Sequence, residues 1–293
     1  MKMIFVFIDG FGIGGDNSSK NPFKVANTPN LDYISDKYTV IPTDASMGIP
    51  GLPQSATGQT AIFTGVNAAA VLGRHLSGQP TISLKKVIYR NNLFKELINK
   101  GFTVTNSNVY REEYLNKMLD PKDRRSRPSV TSVMSVSCGL SFRRVEDYNR
   151  GDGIYHDITG KILLESGYDV KLISPEDAAE RLYSISRDYD FTLFEHFMSD
   201  IIGHKMDMRA AVEEIELLDA FIGGILKQLD HDRDILFITS DHGNIEDVSV
   251  GTHTFNKVPT VIAGKMTEGA LSEIKSITDI TPVILKIFDA RGK

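Results

Sequence analysis

The sequence predicts an α/β protein: a doubly wound, mainly parallel sheet with helices on both faces and a small inserted cap. Three observations predict it. Short apolar runs recur along the chain, continuous rather than alternating, as strands are when helices cover both faces of their sheet. Helical patterns with recognisable starts lie between the runs. The length, 293 residues, suits one large α/β domain or a core carrying a smaller insertion.

The runs "MIFVFI" (3–8), "FTVTNSNV" (102–109), "FTLFEHFM" (191–198), "DILFITS" (234–240) and "VPTVIAG" (258–264) all read as buried parallel strands. Among the helices, Thr28-Pro29 places a cap and a first-turn proline before "NLDYISDKY", and Ser174-Pro175 does the same for "PEDAAERLYSISRD". "NNLFKELINKG" (91–101) ends on glycine, as helices often do. "MRAAVEEIELLDAFIGGILKQL" (208–229) has apolar residues at helical spacing and reads as the longest helix. The stretch 111–172 is less regular and reads as an inserted cap-like segment, with 1–110 and 173–293 forming the core.

Composition narrows the function classes. A formal charge of −5, with 24% charged and 41% hydrophobic residues, describes a soluble globular chain with no bias toward nucleic acid or an anionic membrane. No run approaches the roughly 18 apolar residues of a membrane span. The single cysteine, Cys138, forms no internal disulfide and fits a reducing, cytoplasmic setting. The oligomeric state is not legible.

In open α/β sheets ligands sit beyond the carboxyl ends of the strands, so the residues following each strand carry the argument. Asp9 follows the first run. Asp200 and His204 follow the run at 191–198, Asp241 and His242 follow 234–240, and His253 precedes 258–264. Aspartate and histidine with open positions suit Zn²⁺ or Mn²⁺, and six such ligands are about right for two ions sharing a site. A second stretch, "LPQSATGQTAIFTG" (52–65), delivers Ser55 where a helix opens, with backbone N–H groups and the positive dipole end beside its hydroxyl. That position holds an anion such as phosphate. A nearby metal ion lowers the hydroxyl pKa enough to make a nucleophile. Thr57 is the runner-up, and Thr60 is a further hydroxyl nearby.

"FIDGFG" (7–12), "QSATGQTAIFTG" (54–65), "SDIIGH" (199–204), "SDHGN" (240–244) and "HTFNKVP" (253–259) together resemble the alkaline phosphatase superfamily. Within it they look closest to the branch holding cofactor-independent phosphoglycerate mutase and phosphopentomutase. The resemblance implies an enzyme with two divalent ions, one held by Asp9, Ser55, Asp241 and His242, the other by Asp200, His204 and His253. It implies that Ser55 is transiently phosphorylated by a small-molecule phosphate ester. In the mutases the phosphoryl group returns to the substrate; in the phosphatases water takes it. Two features depart from the mutases: the insertion is smaller, and Gln59 stands where they carry histidine. Hydrolysis or phosphoryl transfer is therefore the leading expectation. An intramolecular phosphomutase, a phosphodiesterase or sulfatase-type hydrolase and a non-catalytic metal-binding relative are the alternatives. Cys138 lacks the C-x-P-x-R context of a sulfatase nucleophile.

The remaining candidates take blander readings. His196, inside a strand, reads as a buried structural histidine. His75, His156 and Asp157 read as structural or surface residues that could reach the site. Arg111, Arg124, Arg125, Arg127, Arg143 and Arg144 are the cap's possible substrate contacts, with the "RRSR" run ordinarily a solvated face. Gly10, Gly12 and Gly15 fit G-x-G-x-x-G, but "DNSSKNP" follows instead of a helix, which argues against a dinucleotide turn. Asp32 and Asp36, near the distance of a ribose-binding acid, fall on the helix after Pro29 and need no such role.

Overall fold

The computed structural model describes residues 1–120, 127–264 and 268–291. Arg124 and Arg125 lie outside the described residues. A six-stranded sheet forms the centre: β1 (Lys2–Ile8), β2 (Val40–Thr43), β3 (Val104–Asn106), β4 (Phe191–His196), β5 (Asp234–Thr239) and β6 (Val258–Ala263), in the order β2-β6-β5-β1-β4-β3. From β5 to β3 the strands are parallel.

β1 shows why its sequence lacks alternation. Met3, Phe5 and Phe7 pack into one hydrophobic layer, while Ile4, Val6 and Ile8 pack into the layer on the opposite face. Both faces are buried, so every position is apolar. The first layer stacks Phe5 on Phe237 and takes in Phe63, Phe191 and Phe288, beneath the helices Ser55–Thr64, Leu93–Asn99 and Ile280–Arg291. The second is covered by the helices Pro175–Ser186 and Met208–Gln228. Ser174 caps the former, its hydroxyl accepting from the Asp177 N–H.

The expected parallel run at 258–264 is corrected: β6 runs antiparallel to β5, and β2, which the apolar pattern did not reveal, runs antiparallel to β6. A parallel pairing needs a crossover, usually helical. The β5–β6 connection, residues 240–257, contains no helix and turns back on the same side of the sheet.

Within 111–172, Val145, Tyr148, Tyr155, Leu163 and Val170 form, together with Val109 from the core, a small separate hydrophobic cluster. The helix Val130–Ser137 instead sends Val130, Val133 and Met134 into the main core. Arg143 ties this segment to the end of β3, donating to Thr105 Oγ1 at 2.6 Å and to the Asn106 carbonyl. Arg144 pairs with Glu112. Among the described residues no helix is long and apolar enough to cross a membrane.

Candidate metal centre

The carboxyl ends of β1, β4 and β5 bring three acids to one edge of the sheet. Asp9 follows β1 directly. Asp200 sits in the helix Met198–Gly203 that opens after β4, and His204 closes that helix one turn later, so the two side chains share a face. Asp241 and His242 follow β5. Because β6 is antiparallel, its start lies at this same edge, which is how His253 joins the group from a loop before its strand.

Two sets of donor atoms result. In the first, His242 Nε2 lies 3.1 Å from Asp9 Oδ1, 3.6 Å from Asp241 Oδ2 and 3.0 Å from Ser55 Oγ. In the second, His204 Nε2 and His253 Nε2 are 3.2 Å apart and face Asp200 at 3.5 and 3.3 Å. Asp200 also approaches Asp9 and His242 closely enough to bridge the sets.

The donors fit divalent cations on two observations. Asp9 Oδ1 and Asp241 Oδ2 are buried and face no donor but the shared His242 Nε2, an arrangement costly for two carboxylates unless a cation compensates them. The Nδ1 atoms of His204 and His253 lie 3.0 Å from the Gly251 carbonyl and 2.9 Å from the Pro53 carbonyl. A proton on each Nδ1 satisfies those carbonyls and leaves the Nε2 lone pairs aimed into the site. Burial, with Asp9 and Asp200 close by, raises the Asp241 carboxyl well above the ordinary range. Burial alone would lower the His242 imidazole, but Asp9 and Asp200 override it and raise it. Protons thus take up charge that metal ions would otherwise balance.

Neighbouring groups hold these ligands in place. Asn244 donates to Asp200 Oδ1 at 2.6 Å, and Gln59 donates to Asp9 Oδ2 at 3.0 Å, leaving one Asp9 oxygen for the centre. The buried Glu246 carboxylate accepts from the N–H groups of Gly12 (3.1 Å) and Asn244 (2.7 Å), from Thr254 Oγ1 (2.5 Å) and from Asn256 Nδ2 (3.0 Å). It thereby joins the three loops that carry Asp9, Asp241–His242 and His253.

Ser55 is the first residue of the helix Ser55–Thr64, which has no acid in its first turn. The Thr57 hydroxyl is engaged with backbone, donating to the Gln54 carbonyl and accepting from the Leu76 N–H, and Thr60 donates to the Ala56 carbonyl. His196 and Asp157 serve structure: His196 Nε2 lies 2.7 Å from Glu214, and Asp157 accepts from the Gly160 and Ile162 N–H groups. His75 contacts the Ile49 carbonyl, and Cys138 donates to Asn92. The three glycines differ in role. Gly10 adopts φ +70° against Asp200, Gly12 abuts Glu246, Gly15 has open space around it, and no helix follows them until a short turn at Pro22–Lys24.

Beside Ser55 and Asp9 opens a cavity of about 360 Å³, with Arg111, Arg127, Tyr155, His156, Glu195 and Phe197 among its walls. Glu195 was not singled out by the sequence reading. Its carboxylate accepts a short hydrogen bond from Thr131, and burial, with Asp9 nearby, pushes it up to about 7. An acid inside the mainly apolar run "FTLFEHFM" was the available signal.

The chain resembles known proteins over its fold and, in part, its sequence. The 2,3-bisphosphoglycerate-independent phosphoglycerate mutase of Thiobacillus denitrificans is 30% identical over 155 residues, covering 48% of this chain and 30% of that one. The matches span under a third of the length of such curated relatives. The PH0037 protein of Pyrococcus horikoshii superposes with a TM-score of 0.61 at 16% identity, covering 98% of this chain and 96% of that one. The alkaline phosphatase of the Antarctic bacterium TAB5 follows at 0.57 and 14%, covering 98% of each chain. These likenesses confirm the mixed α/β fold with a six-stranded sheet flanked by helices. With a family model described as the metalloenzyme superfamily matching residues 1–291, the chain belongs to that superfamily.

Proposed function

We propose that the protein transfers the phosphoryl group of a small-molecule phosphate ester to Ser55 and releases it to water. The observation that carries this reading is the Ser55 hydroxyl, at a helix start, 3.0 Å from His242 Nε2 in a buried set of acids and histidines. Asp9, Ser55, Asp241 and His242 would hold one divalent ion, and Asp200, His204 and His253 a second, Mn²⁺ or Zn²⁺. When bound, these ions supply the positive charge that lowers the serine pKa and offsets the charge of the phosphate.

The chain's own residues account for the rest. The positive end of the Ser55–Thr64 helix dipole favours the phosphate dianion and the serine oxyanion alike. Gln59 and Asn244 fix Asp9 and Asp200 so that little reorganisation accompanies the reaction. Ser55 loses its proton and its Oγ bonds to phosphorus. The ester P–O bond breaks and the alcohol departs with a proton. Water then cleaves the phosphoserine, releasing phosphate and restoring the hydroxyl. The segment 111–172 acts as a cap over this chemistry, contributing walls of the cavity.

Phosphate release from glycerol 1-phosphate with Mn²⁺ or Zn²⁺ tests the reading, comparing wild type with Ser55→Ala and Asp241→Asn. Phosphate release by wild type alone is expected; equal rates in all three overturn it. The sequence match to phosphoglycerate mutases favours a second reading, intramolecular transfer, which interconverts positional isomers with no net phosphate release.

A further inference from the structure

We propose that the cavity beside Ser55 is built for a phosphoester whose organic group is a flat aromatic ring bearing a second negative charge. The inference rests on the reading of Ser55 as phosphoryl acceptor and adds the substrate class. Glycerate and pentose esters expose hydroxyls and offer little apolar surface, yet much of one cavity wall is aromatic. Tyr155 meets His156 with ring centroids 4.2 Å apart, and His156 stacks on Phe197 at 3.9 Å and 23°. Ile201, on the helix that carries Asp200, extends the wall with an exposed aliphatic side chain. His156 adds an aromatic surface rather than a charge, because burial, with His196 and Arg111 close by, pushes its imidazole down to about 3. Rings gain most against such a wall, by offset stacking and by removing apolar surface from water.

The same cavity carries Arg111 and Arg127. Arg144 and Arg150 of the same segment form salt bridges with acids, whereas Arg111 and Arg127 form none among the described residues. An unpaired guanidinium presents a planar fork that matches a carboxylate or a second phosphate. A phosphate held at Ser55, a ring on the aromatic wall and an anion at the arginines engage these three parts of the cavity.

Four esters separate the contributions: 4-carboxybenzyl phosphate carries ring and anion, benzyl phosphate the ring, 3-phosphoglycerate the anion and glycerol 1-phosphate neither. All have alkyl leaving groups. The expected kcat/KM for 4-carboxybenzyl phosphate exceeds each of the single-feature esters by about tenfold. Phe197→Ala removes the ring advantage, and Phe197→Leu, which keeps the apolar bulk, removes it too. Arg111→Ala combined with Arg127→Ala removes the anion advantage. If 3-phosphoglycerate equals or betters 4-carboxybenzyl phosphate, the inference is overturned. Calorimetric binding of the same esters to Mn²⁺-loaded Ser55→Ala separates this inference from the reading beneath it. Ordered binding without wild-type turnover removes the phosphoryl-transfer reading and keeps the substrate class. Equal turnover of all four removes the substrate class and keeps the transfer.

Discussion

The Ser55 hydroxyl lies 3.0 Å from Nε2 of His242, the same ring nitrogen that faces Asp9 at 3.1 Å. The proposed nucleophile and the proposed ligand set therefore share one atom's surroundings. Ser55→Ala removes the proposed attacking oxygen and leaves Asp9, Asp241 and His242 intact. Phosphate release is expected to fall by at least about a thousandfold, as happens when a nucleophile is deleted. Mass spectrometry of acid-quenched wild type with substrate should show a phosphorylated peptide containing Ser55. Phosphate on Thr57 instead would move the nucleophile to the runner-up.

Glu246 joins loops rather than touching the centre. Its two oxygens take four neutral donors from three segments, so no local charge replaces it. Glu246→Ala leaves buried N–H groups unmatched and is expected to cost about 3 kcal/mol in stability. Metal affinity, read by titration with Mn²⁺, should weaken about 10- to 100-fold. Glu246→Gln keeps one acceptor oxygen and should lose less of both. Unchanged metal affinity in a folded Ala variant would reduce the residue to a structural role.

The candidate ligand motifs were legible because each is short and local: D-x-x-G-H places two side chains on one helical face, and Asp241 and His242 are neighbours in the chain. Their convergence was legible from the rule that strand ends face the ligand. Strand direction was not, since an apolar run such as "VPTVIAG" has no polarity of pattern; only the helix-free connection before it hinted at the reversal. That reversal is what carries His253 to the site. The cavity wall escaped for a different reason. Tyr155 and His156 are chain neighbours in the inserted segment, but Phe197 follows a distant strand, and no spacing in the chain encodes its stacking on His156.

The glycine run gives a prediction that separates close packing from mere turn preference. A Cβ on Gly12 would stand 2.4 Å from the Glu246 Cδ, whereas one on Gly15 meets nothing within 4 Å. Gly12→Ala must push the carboxylate from its four donors and is expected to cost about 1–3 kcal/mol. Gly15→Ala should stay within about 0.5 kcal/mol of wild type. Thermal unfolding of both variants with and without Mn²⁺ measures the difference. A dinucleotide turn predicts instead that both positions matter through ligand binding, and equal losses would favour it.

Glu195 gives the pH prediction. Burial raises its carboxyl from 4.5 to about 7 in the folded protein. The protonated form is thus the one folding favours. The associated stability is fully present below about pH 4.5 and is lost as the pH rises through 7. The shift corresponds to about 3 kcal/mol by the usual conversion of pKa into free energy. Glu195→Gln removes the charge while keeping an oxygen to accept from Thr131. In metal-stripped protein the variant should match wild type near pH 4.5, gain on it progressively toward pH 7 and hold a constant advantage above. Denaturant unfolding across pH 4.5–9 reads this directly. A stability gap that does not change with pH would mean that Glu195 is charged throughout, held by a partner other than Thr131.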